Sequence, residues 1–266
     1  MDIIELLIMG GLAGVMAGLL GIGGGAIIVP VLVIMFDRQG IAPQSVMQLS
    51  IGTSLSTIVF TSLSSASAHY RRGSLDMGVF RRLAPAIVVG TLLGAAIADH
   101  LASRTLQWMF VVFLFCVAAQ FSRGTTITDA HRQLPGPAGM NLAGLSIGTV
   151  SALFGIGGGS LTVPFLTWCS VPVKRAIGTS AAIGLPIALG GAVGYIVGGW
   201  NQPGLPPWTF GYVSLPAFAG IVAASTAAAP LGARLAHRLS ETTLRRVFAV
   251  FVTVLGLHML WGLLGL

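Results

Sequence analysis

Charge is what this chain has least of. Only 8% of its 266 residues are Asp, Glu, Lys or Arg, about a third of the share with which a soluble domain coats its surface. Those few are also bunched. The 31 residues between Glu5 and Asp37 carry none, nor do the 32 between Arg38 and Arg71 or the 58 between Arg175 and Arg234. A helix needs about 20 apolar residues to cross a bilayer, so these gaps exclude a soluble enzyme and a disordered chain and describe a polytopic membrane protein. Cysteine is scarce too. Cys116 and Cys169, both in apolar stretches, exclude a disulfide-stapled secreted fold and read as buried thiols. The net charge of +7 is no sign of nucleic acid, because the arginines sit at the ends of apolar runs and basic cytoplasmic loops are usual in membrane proteins. Met1–Glu5 lacks the basic region of a signal peptide, so the first apolar segment is expected to stay in the mature protein.

The residues of catalysis are missing as well. No Asp, Glu, Lys or Arg lies deep in an apolar run, and there is no nucleophile–base pair, carboxylate pair or metal-ligand spacing. Neither an enzyme nor a cofactor is expected. His258, the one titratable residue well inside the last run, reads as a helix-packing or interfacial residue rather than a proton relay. Gly21 to Ala26 formally matches a dinucleotide-binding glycine pattern, but no acidic residue follows at the required distance and the second copy ends in Ser160.

What is present is repetition. Apolar runs fall at about 3–36, 44–68, 79–98, 105–121, 139–171, 176–198, 209–233 and 244–264, and the longest polar connection is 122–138. Residues 18–32 (GLLGIGGGAIIVPVL) and 152–166 (ALFGIGGGSLTVPFL) match at nine of fifteen positions, and IGTS recurs at 51–54 and 177–180. A third echo aligns Gly94 to Phe110 with Gly232 to Phe248. The chain is therefore an internal duplication, divided into 1–121, a cytoplasmic linker 122–138, and 139–266.

Basic residues orient the two halves. Arg71, Arg72, Arg81 and Arg82 flank one loop, whereas its counterpart at 199–208 has no charge; the connection at 99–104 has one Arg and its counterpart at 234–246 has four. The bias changes sides between halves, which predicts inverted repeats. Inversion needs an odd number of crossings per half, yet each half has four runs. The first run of each half is 34 or 33 residues long with GIGGG near its middle, where helix propensity is poorest. A helical hairpin broken at GIGGG restores the parity and leaves only Arg38 and Arg104 of the 14 basic residues outside. The predicted fold is all-α: two inverted repeats, each a broken helical hairpin plus three transmembrane helices, with both termini outside.

The candidate site follows from the glycines. Non-helical backbone at membrane depth is tolerated only inside protein or beside a wet cavity. The residues after each GIGGG can begin a half-helix whose free N–H groups and dipole attract an anion. The predicted anion-binding residues are Gly23, Gly24, Gly25, Gly157, Gly158, Gly159 and Ser160, with the hydroxyls of Thr53, Ser54, Thr179 and Ser180 and, more weakly, Gln48. Other small-residue pairs, such as Gly90/Gly94, Gly144/Gly148 and Gly190/Gly194, read as helix packing.

The paired GIGGG-x4-P elements at 21–30 and 155–164, the two IGTS elements and the duplicated hydrophobic layout resemble the TauE/SafE family of sulfite exporters. The resemblance covers essentially the whole chain. It implies a multi-pass permease of the cell (inner) membrane for small sulfur-containing anions such as sulfite or organosulfonates, surrounded by lipid and compatible with a homodimer. A carrier of carboxylates or other small anionic metabolites is the rival within transport. A membrane-embedded assembly factor or sensor would carry a soluble domain or long tail that the loops do not provide.

Overall fold

A computed structural model describes Gly11, Val15 and residues 25–123, 133–236 and 241–265. The described chain is helical: α1 Gly25–Arg38, α2 Val46–Arg71, α3 Met77–His100, α4 Ser103–Arg123, α5 Pro137–Phe154, α6 Gly159–Trp168, α7 Val173–Gly198, α8 Leu215–Ala236 and α9 Glu241–Leu264. Six of these (α2, α3, α4, α5, α7 and the Arg246–Leu264 part of α9) are long and apolar enough to cross a membrane. The all-α, multi-pass class expected from the apolar runs is what the structure has.

Local chemistry sets the boundaries. Asp76 caps α3, its carboxylate accepting the N–H groups of Gly78 at 3.0 Å and Val79 at 3.1 Å, which satisfies two of the donors a helix start leaves unpaired. Pro137 opens α5, where its missing N–H costs nothing. Gly155 ends α5 in the left-handed conformation, φ +63°, a geometry natural to glycine. Four residues, Gly155 to Gly158, then separate α5 from the ten-residue α6. The second apolar run is thus the broken hairpin its length required. Of the first apolar run, α1 and the two residues Gly11 and Val15 are described; Gly21 to Gly24 lie outside the described residues, as does most of the 122–138 linker.

One boundary differs from the hydrophobic pattern. The run 209–233 suggests a helix from 209, yet α8 begins at Leu215. Residues 209–214 instead form a tight loop, with Gly211 at φ +57° and Phe210 N–H donating to Val213 C=O at 2.8 Å. Tyr212 N–H crosses to Tyr195 C=O at 3.1 Å. Tyr212 and Val213 are buried by folding back on α7 rather than by continuing a helix, while Phe210 stays exposed.

Packing runs along glycine stripes. Gly90 and Gly94 of α3 lie on the backbone of Leu145 and Thr149, and Gly144 and Gly148 of α5 lie on Leu83 and Ile87, so α3 and α5 are parallel. Thr149 seals this contact by donating its hydroxyl to Gly90 C=O at 3.0 Å. Gly190, Gly194 and Gly198 of α7 lie on Thr91, Ala95 and Asp99 of α3, again in parallel register. Bilayer helices gain little from excluding apolar surface, so close backbone approach carries their association. By contrast α2 and α7 run antiparallel: Gly52 meets Tyr195, Leu55 meets Gly191 and Ser62 meets Gly184. This central pair carries the two IGTS elements and frames the site.

Candidate anion site at the broken hairpin

The break between α5 and α6 is where the two glycine motifs meet. Gly25, the first residue of α1, lies directly on Gly155 C=O, and a Cβ there would come within 2.7 Å of Ile156 Cα and 3.0 Å of the Ile58 side chain. Any side chain at position 25 would push the motifs apart. Gly158, which precedes α6, is held equally closely from the other side, with 2.7 Å between a Cβ placed there and Ser180 C=O and 3.1 Å to Gly184 N. Since Gly184 faces Ser62 across the α2–α7 crossing, the N-terminus of α6 sits at the middle of that pair.

Three hydroxyls surround the break. Ser54, fully buried, donates to Gly155 C=O at 2.9 Å and fixes the sharp end of α5. Ser151 Oγ and Thr162 Oγ1, one turn before and one turn into the flanking helices, are completely buried and have no hydrogen-bond partner among the described residues. Neither belongs to a repeated motif, since Ile28 stands where Thr162 has its counterpart, so pattern matching passes over both. Gly157 is buried, while Gly159 and Ser160 are half-buried at the helix start. Pro164, the sixth residue of α6, has no N–H to offer Ser160 C=O, which leaves that acceptor without its helical donor. None of the residues of the break or of α6 is ionisable. What polarises the place is backbone: free N–H groups at a helix start and the dipole behind them. A helix start of this kind can bind a small anion without a fixed cation.

The other predicted residues are distributed differently. Thr53 Oγ1 accepts Ser214 N–H at 3.0 Å, and Thr179 Oγ1 accepts Asp76 N–H at 2.9 Å. Because α2 and α7 are antiparallel, the level of Thr179 corresponds to residue 67 or 68 of α2. The two threonines are therefore about 22 Å apart along the pair at 1.5 Å per residue, Thr53 level with Gly155 and Thr179 beside Ser180, and do not line one small site together. Ser180 donates to Ile177 C=O at 3.2 Å and meets the site through its backbone at Gly158. Gln48 is buried at the far end of α2, its amide N–H group donating to Leu101 C=O at 2.9 Å and Ala98 C=O at 3.4 Å. That amide closes the C-terminus of α3. Gly23 and Gly24 lie outside the described residues.

The chain matches the profile of the sulfite exporter TauE/SafE family over residues 6–259. It belongs to the TauE/SafE family. Similar curated proteins are a probable membrane transporter protein of Haemophilus influenzae, 34% identical over 95% of this chain and 96% of that one, and a probable membrane transporter protein of Methanocaldococcus jannaschii, 29% identical over 96% and 94%. A probable membrane transporter protein of Xylella fastidiosa is 30% identical over 95% of this chain and 92% of its own. No solved structure matches the chain. This TauE/SafE protein is thus a multi-pass membrane transporter, and its relatives share its length almost end to end.

A tyrosine pair of this TauE/SafE chain lies beside the last turn of α5. Tyr195 donates its hydroxyl to Ala152 C=O at 3.0 Å, pinning α7 to the last turn of α5, and its ring packs edge-on against Tyr212 with centroids 6.4 Å apart. Tyr212, in the loop before α8, has its pKa pushed up to about 12 by burial, by the charge of Asp99 and by a hydrogen bond to that carboxylate. His258 is exposed on α9, away from the break. Cys116 is exposed, Cys169 is buried, and no disulfide joins them.

Proposed function

We propose that this transporter exports small sulfur-containing anions, sulfite or organosulfonates, by alternating access around the α5–α6 break. The observation that carries this reading is the contact of Gly25 with Gly155 and Ile156, which sets the start of one half-helix on the break of the other hairpin at a level free of ionisable side chains. Gly25, Gly157, Gly158, Gly159 and Ser160 then form the centre, with backbone N–H donors and the Ser160 hydroxyl facing a bound oxyanion. Ser54 and Ser180 shape that centre through Gly155 and Gly158. Gly23 and Gly24 are proposed for the matching half from the sequence repeat.

The antiparallel crossing of α2 and α7, with equivalent residues meeting equivalent partners, supports two repeats of opposite orientation, the arrangement in which one half rocks against the other around a fixed site. With the cell interior negative, each unit of negative charge moved outward gains about 2.3 kcal/mol per 100 mV. Export of an oxyanion needs no coupling ion.

Thermal unfolding of the detergent-purified protein with graded sulfite, methanesulfonate, acetate and lactate tests the substrate class. A ligand at 100 times its Kd adds about 2.7 kcal/mol, so sulfite and methanesulfonate should raise the melting temperature by several degrees and the carboxylates should not. Stabilisation by acetate or lactate alone makes the protein a carboxylate carrier instead.

A further inference from the structure

Each IGTS element does the same two things, at opposite ends of the α2–α7 pair. At one end Gly52 lies against Tyr212 C=O and the Thr53 hydroxyl accepts the N–H of Ser214, just before α8. At the other end Gly178 lies against Ser74 C=O and the Thr179 hydroxyl accepts the N–H of Asp76, just before α3. The contacts are exchanged between the halves: a helix of the first half grips the segment leading into α8 of the second, and a helix of the second grips the segment leading into α3 of the first. Both threonines are fully buried. On the Asp76 side, Asp76 itself lines an open cleft of about 470 Å³ together with Ser170, Pro172 and Arg175.

We infer that these are the paired latches of the transport cycle: Thr53 with Ser214 holds the outer mouth shut, and Thr179 with Asp76 holds the cytoplasmic mouth shut. The inference rests on the alternating-access reading above. Both contacts bridge the halves, and they stand about 22 Å apart along the α2–α7 pair, Thr53 level with Gly155 and Thr179 next to Ser180, whose C=O lies on Gly158. Rocking one half against the other therefore separates one contact while the other serves as the pivot. With both hydrogen bonds made, the site is closed from both sides. Thr53 and Thr179 are positioning residues; neither needs to touch the anion. A buried backbone N–H that loses its acceptor is left unpaired, so replacing either threonine by valine keeps the shape and weakens that closure alone.

The test is accessibility, measured without substrate. In a background lacking Cys116 and Cys169, Ser160→Cys at the start of α6 reports on the site through its rate of reaction with a membrane-impermeant maleimide. Thr53→Val should raise that rate roughly fivefold in right-side-out vesicles and lower it in inside-out vesicles, and Thr179→Val should do the reverse. Thr53→Ser and Thr179→Ser keep the acceptor and should label like the parent. A disulfide between Thr53→Cys and Ser214→Cys, which needs no valine variant to fold, should abolish labelling from outside only. If both valine variants change labelling in the same direction, if neither changes it, or if the serine variants behave like the valine ones, the latches are refuted. The labelling pattern stands even if sulfite proves not to be the substrate. Saturable sulfite flux with symmetric labelling removes the latches and leaves the substrate reading intact.

Discussion

Ser54 and Gly155 are 101 residues apart and joined by a 2.9 Å hydrogen bond from the serine hydroxyl to the glycine carbonyl. The carbonyl belongs to the residue that caps a helix stopping at mid-hairpin, where no following turn supplies it with an N–H donor. Removing the hydroxyl leaves that carbonyl unsatisfied in a buried place. Ser54→Ala should therefore destabilise the protein by about 1–2 kcal/mol. A melting temperature equal to that of the parent protein would show that water or a neighbouring donor takes the bond over.

Gly155→Ala carries two costs that can be separated. Its φ of +63° is strained for any residue with a Cβ, by roughly 1–2 kcal/mol, and that Cβ would stand 2.8 Å from the Val29 side chain and 3.1 Å from Ile51 Cα. Gly73 has a similar φ, +65°, with nothing near it. Gly73→Ala thus measures the backbone cost alone, and Gly155→Ala should exceed it by at least 1 kcal/mol in thermal unfolding. Equal losses would mean that the break has room to relax.

The hairpin was legible in the sequence because glycine runs stop helices wherever they fall, and a run of 33 apolar residues is too long for one span. The parallel glycine stripes of α3, α5 and α7 were legible for a similar reason, since small residues at a spacing of four mark one face. Tertiary hydrogen bonds were not. Nothing local to IGTS says that its threonine hydroxyl meets Ser214 or Asp76, more than 100 residues away. A hydroxyl in a repeated motif looks the same whether it holds a loop or an anion. The start of α8 is not legible because Tyr212 and Val213 are apolar and buried, and hydrophobicity alone does not distinguish a folded-back loop from the first turn of a helix.

Gln48 separates capping from ligand binding. Its amide closes the end of α3 from 2.9 Å, so Gln48→Leu should lower stability by about 1–3 kcal/mol while leaving the sulfite Kd within about twofold. A large rise in Kd with unchanged stability would move Gln48 into the site.

Tyr212 predicts a pH dependence. Its folded pKa of about 12 lies above the unfolded value of about 10, so the unfolded state loses this proton first. The stabilisation is complete below pH 10 and disappears as pH rises from 10 to 12. Thermal unfolding across that window should show a steeper loss in the parent than in Tyr212→Phe. Identical slopes would contradict the burial of the phenol beside Asp99.

If an uncharged, backbone-lined break passes a sulfur oxyanion outward, as proposed, Ser160 is the side chain whose loss shows it. Its hydroxyl is half-buried at the start of α6 and makes no hydrogen bond among the described residues, so Ser160→Ala should fold as the parent does. Flux of radiolabelled sulfite through proteoliposomes should be saturable, accelerated when the compartment it leaves is negative, and weakened in apparent affinity by roughly threefold to tenfold in Ser160→Ala. Sulfite flux no faster than through empty liposomes, or flux indifferent to both the potential and Ser160, would contradict the account.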